Sequence, residues 1–201
     1  TTSSWNGRKR RSSSPTSGNG AGYGFTLSNS TGAVLTNITA NRRNIGIELS
    51  NMGGVAVTNA VSTFSTTGLS FTSLPFAGTP PTFNGLTLTD NTTGFYWYSN
   101  AAPTTIGASA GLNLQRCSTA INADLSSNLT LQDLDLSGAR GNGVYAYSSA
   151  SNLTLRRLNT NGLGRGYGLN LRGAGITIDT VSANDRVYGA SLAITPGATV
   201  D

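Results

Sequence analysis

From Gly22 onward, short runs of alternating apolar and polar residues recur behind a small residue. They read Gly24-Phe-Thr-Leu, Gly46-Ile-Glu-Leu, Gly68-Leu-Ser-Phe, Gly94-Phe-Tyr-Trp, Ala120-Ile-Asn-Ala, Gly143-Val-Tyr-Ala and Gly168-Leu-Asn-Leu, with a weaker copy around Gly189. The spacings are 22, 22, 26, 26, 23, 25 and 21 residues. A second alternating motif falls between them, headed by Gly32, Gly54, Gly85, Gly111, Asn128, Asn152 and Gly175. Each repeat therefore predicts at least two short strands separated by Gly, Asn and Ser turns. No stretch carries apolar residues at helical spacing for long enough to predict a helix.

Two short strands per repeat suit a coil whose turns stack their strands into parallel sheets. In the first strand, the residues one and three after the small residue then point inward: Phe25/Leu27, Ile47/Leu49, Leu69/Phe71, Phe95/Trp97, Ile121/Ala123, Val144/Ala146 and Leu169/Leu171. All are apolar, which supports the register. These residues resemble the right-handed parallel β-helix repeat proteins, the pectate-lyase-like solenoids that include surface adhesins and tailspikes. The resemblance covers about residues 22–200 and is clearest in Asn128-Leu-Thr-Leu and Asn152-Leu-Thr-Leu, each followed by a Leu three residues on. It implies an all-β, right-handed parallel β-helix of about eight turns over residues 22–201. Residues 1–21, rich in Ser and Gly and basic, read as an irregular N-terminal arm or linker.

Composition narrows the chemistry. Ser, Thr, Asn and Gly make up 98 of 201 residues, and only 10% are charged, against roughly a quarter in an ordinary domain. The absence of histidine excludes Ser-His-Asp and Cys-His catalysis and His-ligated metal sites. The lone Cys117 excludes an internal disulfide and cysteine clusters, and no apolar run is long enough for a membrane-spanning helix. Four of the thirteen cations, Arg8, Lys9, Arg10 and Arg11, sit in one run; the remaining nine nearly balance eight acids. The run reads as a solvated tail, and no nucleic-acid partner, cofactor or metal is expected. Five Asn-x-Ser/Thr sequons, at Asn29, Asn37, Asn91, Asn128 and Asn152, are expected from composition alone. Asn128 and Asn152 also stand where the fold wants a turn residue.

The outward positions of the first strand hold Glu48, then Tyr96 and Tyr98, Asn122 and Asp124, Tyr145 and Tyr147, and Asn170 and Arg172. Aromatic rings beside amide, carboxylate and guanidinium groups can stack on sugars and bond their hydroxyls. In catalytic members of the resembled family this sheet face is usually the substrate cleft. Asp124 and Arg172 are the candidate catalytic groups, but glycoside hydrolysis needs two carboxylates about 5–9.5 Å apart. Glu48 lies three strands from Asp124, about 14 Å at the strand spacing. Asp133 shares a repeat position with Arg116 and Arg157, and Asp179 follows Arg156, so these acids read as charge ladders. Arg140, Arg165 and Arg186, each three residues before a repeat glycine, are a candidate anion-binding ladder or a set that caps turn carbonyls.

The expected protein is an extracellular, cell-surface or virion-surface solenoid. Its leading role is structural or adhesive and non-catalytic. The alternatives are a polysaccharide-binding module and a polysaccharide lyase, hydrolase or tailspike-like enzyme. Ser191-Leu-Ala-Ile-Thr reads as a strand, and no amphipathic cap is visible at either end. Self-association head to tail, into a filament, is therefore an expected partnership, beside a glycan.

Overall fold

The computed structural model describes residues 20–73, 79–100, 102–162, 165–194 and 199–200. The basic arm expected over 1–21 lies, apart from Gly20 and Ala21, outside these residues. Each turn begins on one wall with a strand: β1 (Gly20–Thr31), β3 (Arg43–Gly53), β5 (Thr67–Thr72), β7 (Thr93–Tyr98), β9 (Thr119–Asn122), β11 (Asn142–Ser151), β13 (Tyr167–Ala174) and β15 (Tyr188–Ile194). They form a single parallel sheet in that order, the signature of an all-β solenoid of about seven turns.

A second strand follows in each turn. β2 (Val34–Thr36), β4 (Ala56–Thr58) and β6 (Thr82–Asn84) make a three-stranded sheet. β8 (Thr104–Ile106), β10 (Leu129–Gln132), β12 (Thr154–Asn159), β14 (Thr177–Ser182) and β16 (Thr199–Val200) make a five-stranded one. A third wall is only bridged, from Thr39 to Val61 to Thr87 to Asn113. Two expected second strands belong here instead: the motifs headed by Gly85 and Gly111 put Thr87 and Asn113 in the third wall. The longer third turn displaces them, because β6 ends at Asn84, one residue before Gly85.

The inward register holds. Ile47, Leu49, Leu69, Phe71, Phe95, Trp97, Ile121, Ala123, Val144, Ala146, Leu169 and Leu171 are buried, and Phe25 and Leu27 pack partly buried against them. The middle turns use rings: Phe71 and Trp97 stack at 4.7 Å, and Phe83 meets Phe95 edge-on at 5.4 Å. Trp97 is fully buried, and its Nε1–H has no hydrogen-bond acceptor. The repeat glycine is a close-approach position. A Cβ at Gly68 would meet the Gly94 carbonyl and the Asn91 amide well inside contact distance.

Corners of the coil need left-handed backbone, which Gly and Asn supply most cheaply. Asn37, Asn59, Gly85 and Gly111 share one corner at φ 57°, 53°, 65° and 55°. Asn128, Asn152 and Gly175 share another at 56°, 51° and 61°. The side chains then bond from turn to turn, Asn51 Nδ2 donating to Asn29 Oδ1 at 2.7 Å and Asn152 Nδ2 to Asn128 Oδ1 at 3.1 Å. Four of the five sequons are thus corner asparagines. The fifth, Asn91, is buried, donating to the Ser62 carbonyl and accepting from Ser65 N–H.

The charge ladders are there with one exchange of partner. Asp133 pairs with Arg157 at 2.6 Å and Asp179 with Arg156 at 3.1 Å, as the repeat positions predict. Arg116 does not join Asp133. It binds Asp90 through both carboxylate oxygens. The reason is the corner: Arg42, Phe64, Asp90 and Arg116 are left-handed residues entering the first wall, whereas Asp133 follows β10 in the second.

Candidate functional site

The outward face of the first wall brings the predicted polar column together. Ser70, Tyr96, Asn122, Tyr145 and Asn170 are successive partners across β5, β7, β9, β11 and β13. Glu48 lies beside Ser70, three strands from Asn122 in the same column, and so stands apart from the tyrosine cluster. The Tyr96 and Tyr98 rings stack at 5.4 Å and 18°, and the Tyr145 and Tyr147 rings at 6.1 Å and 22°. Arg172 places its guanidinium 5.4 Å from the Tyr147 ring centre, a cation–π contact.

Asp124 sits just past the end of β9 and does a backbone's work. Its Oδ1 accepts from Tyr147 N–H at 2.7 Å, and its own N–H donates to Asn122 Oδ1 at 3.1 Å. The ladder between β9 and β11 ends at the Asn122–Tyr145 pair, so the carboxylate supplies the acceptor that β9 no longer offers. Burial, the neighbouring Tyr98 and the Asp124 charge push the Tyr96 phenol up to about 12. Burial, Asp124 and Tyr147 also raise the Tyr145 phenol. Both rings are therefore neutral hydrogen-bonding groups throughout the physiological range.

The three candidate anion-binding arginines are drawn to different tasks. Arg186 turns inward and donates to the carbonyls of Thr160 (2.8 Å), Ala139 (3.0 Å), Asn161 (3.2 Å), Arg165 (3.2 Å) and Gly141. Partial burial lowers its pKa. Gly162 makes the passage possible, since a Cβ there would collide with the guanidinium. Arg140 leans to 3.9 Å from Asp90, and the Arg165 side chain is exposed. Carbonyl capping, the alternative for this set, describes Arg186, and the structure forms no ladder of three stacked cations. The Tyr167–Tyr188 stack, at 4.8 Å and 19°, is a feature that the outward-position reading missed. Its signal was present, because both residues lie one before a repeat glycine.

A search of protein families finds one described as periplasmic copper-binding protein (NosD), matching residues 5–189. No curated protein and no solved structure matches the chain. Copper sites are built from imidazole, thiolate and thioether donors. This chain has no histidine, one methionine and one cysteine. Met52 and Cys117 are both fully buried, and Cys117 Sγ donates to the Leu88 carbonyl. Burial pushes the Cys117 thiol up to about 11, away from the thiolate a metal needs. Among the described residues no three His, Cys, Asp or Glu side chains cluster. These residues do not fit a copper centre.

Proposed function

The chain belongs to the NosD family of β-helix proteins, and on that footing we propose that it is a non-catalytic, adhesive solenoid of the cell envelope that holds carbohydrate on its tyrosine face. The observation that carries this reading is the arrangement of two stacked tyrosine pairs around Asn122 and Asp124 on three consecutive strands, with Arg172 against Tyr147. The long rings stand about 10 Å apart at the strand spacing, with short polar side chains between them. Flat rings stack on the apolar face of a sugar, and amide, carboxylate and guanidinium groups bond its hydroxyls. The envelope location rests on the family's description as periplasmic. Among the described residues no helix is long and apolar enough to cross a membrane.

Binding suits this face better than bond cleavage. Asp124 already accepts from a backbone N–H, and no second carboxylate accompanies it in the tyrosine cluster. The test is retention on a panel of neutral and acidic glycans. Tyr98→Ala and Tyr147→Ala should each weaken the best binder by about tenfold, or about 1.4 kcal/mol, with the unfolding midpoint little changed. A glycan that is cut, with cutting abolished by Asp124→Asn, would make the protein an enzyme instead. No retention on any glycan would remove the reading.

A further inference from the structure

Of the nine cations outside the Arg8–Arg11 run, six gather at the corner that leads into the first wall. Arg42, Arg43, Arg116, Arg140, Arg165 and Arg186 each stand three or four residues before a repeat small residue. Only two acids, Asp90 and Asp185, share those positions, whereas three arginines face six acids over the rest of residues 20–201. A body that is nearly neutral in sum therefore carries a basic ridge along one edge, parallel to the solenoid axis. From the turn of Arg42 to that of Arg165 it runs about 24 Å at the strand spacing.

Arg42, Arg116, Arg140 and Arg165 are exposed, while Arg186 is spent on carbonyls. Asp90 is the one acid at these positions between Arg42 and Arg165. Arg116 already holds it by both oxygens, with Arg140 at 3.9 Å. The exposed neighbours Asn41, Asn44, Thr66, Gln115 and Ser118 carry no charge. Among these arginines stands Phe64, 56% exposed at φ 56°, with the Arg42 guanidinium 5.6 Å from its ring centre. A bulky ring is ill suited to left-handed backbone, where two other corners use Asn and Gly. Among the described residues Phe64 is the only aromatic at positive φ. Exposure and backbone both count against the ring in the isolated fold, which points to a contact outside it.

We propose that this edge docks the solenoid on an anionic phospholipid surface. Phe64 enters the headgroup layer, and the arginines around it bind lipid phosphates. The corner of a coil is convex. It cannot wrap a polymer as a cleft does, but a plane of negative charge meets the whole row of guanidiniums at once. Arginine forks match phosphate oxygens in pairs. Binding strength at a membrane surface combines buried apolar area with attraction to anionic lipid. Each basic residue near that surface is worth about fivefold. Access to a membrane rests on the envelope location of the proposed function. The tyrosine face lies five or more residues further along each turn and stays free for sugar.

Co-sedimentation with vesicles of phosphatidylglycerol and phosphatidylcholine tests the proposal. The full chain is used with R8Q, K9Q, R10Q and R11Q, so that this run contributes nothing. It should pellet with these vesicles and stay in solution with phosphatidylcholine alone. Salt at about 1 M, where the screening length falls to about 3 Å, should release it. Arg42→Glu and Arg140→Glu should each weaken binding by more than about fivefold. Phe64→Asn should weaken it too, while the unfolding midpoint holds or rises because Asn suits left-handed backbone. A lower midpoint would make Phe64 a packing residue and overturn its assignment. Tyr98→Ala should leave vesicle binding unchanged, which tells failure of the glycan reading from failure of this one. Absence of binding once the four arm cations are gone overturns the proposal. So does binding that the ridge substitutions leave intact, or a preference for a soluble acidic polysaccharide over the vesicles.

Discussion

The tyrosines of the middle turns and those of the last turns reach similar ring spacings by different routes. Tyr96/Tyr98 and Tyr145/Tyr147 are two residues apart on one strand, stacked along it at 5.4 and 6.1 Å. Tyr167 and Tyr188 lie on neighbouring strands and stack across them at 4.8 Å. A pair within one strand is closed, because the strands beside it offer Ser70 and Asn122 rather than another ring. A pair across strands lies along the solenoid axis and ties two turns together. The direction of stacking thus separates rings that pave one strand from rings that join two.

The largest effect that separates the two regions should come from Trp97→Ala. Trp97 lies between Tyr96 and Tyr98 in sequence and points inward onto Phe71 and Phe95. Its removal should cost about 3–5 kcal/mol. Turns of a solenoid contact only their neighbours, so hydrogen exchange should show the middle turns opening while β13 and β15 keep their protection. Trp97→Phe keeps a ring and deletes an N–H that has no acceptor, so its cost should be much smaller. Equal exchange along the whole chain in Trp97→Ala would mean that the turns unfold as one unit, and the regional contrast would fail.

Arg186→Ala should work in the opposite direction at about 2 kcal/mol, a value set by charged hydrogen bonds that are partly open to solvent. It strips donors from the carbonyls of Ala139, Gly141, Thr160, Asn161 and Arg165, which hold the last turns together. Exchange should quicken in β13 and β15 and leave β7 unchanged. Arg186→Lys should not rescue, since a compact ammonium cannot reach so many acceptors at once.

The inward columns were legible because a strand's period of two leaves little freedom once one face is buried. The outward columns followed from the same parity, which is why Tyr96, Asn122, Tyr145 and Asn170 line up as the spacing predicts. Corners were harder to read. Whether Arg116 meets Asp90 or Asp133 depends on which of the left-handed turns it occupies, and turns of 21 to 26 residues absorb their extra length at the corners. The Gly85 and Gly111 motifs were misplaced for the same reason. Arg186 was legible as a position in the repeat, but its inward turn depends on Gly162 from the preceding coil, a contact that no local pattern signals.

Titration gives the smallest effects and the sharpest contrast. On the acid side, hydrogen bonds from Arg116 to Asp90, from Arg157 to Asp133, and from Thr180 and then Arg156 to Asp179 hold these carboxyls below 3.8. Their stabilisation is present above the unfolded value and is lost as pH falls below about 4. Asp133 and Asp179 are open to solvent and Asp90 is partly buried at the surface, so the urea midpoint should drop only modestly there, and equally in Tyr96→Phe. On the alkaline side the sign reverses. Tyr96 ionises near 10 in the unfolded chain and at about 12 in the fold, so the fold favours the neutral phenol. That stabilisation is complete below pH 10 and disappears between 10 and 12. Phenolate absorbance at 295 nm should retain a late component near pH 12 that Tyr96→Phe removes. Loss of that component in Asp124→Asn would trace much of the shift to the carboxylate. Its persistence would trace it to burial beside Tyr98, leaving Asp124 chiefly as the acceptor for Tyr147 N–H.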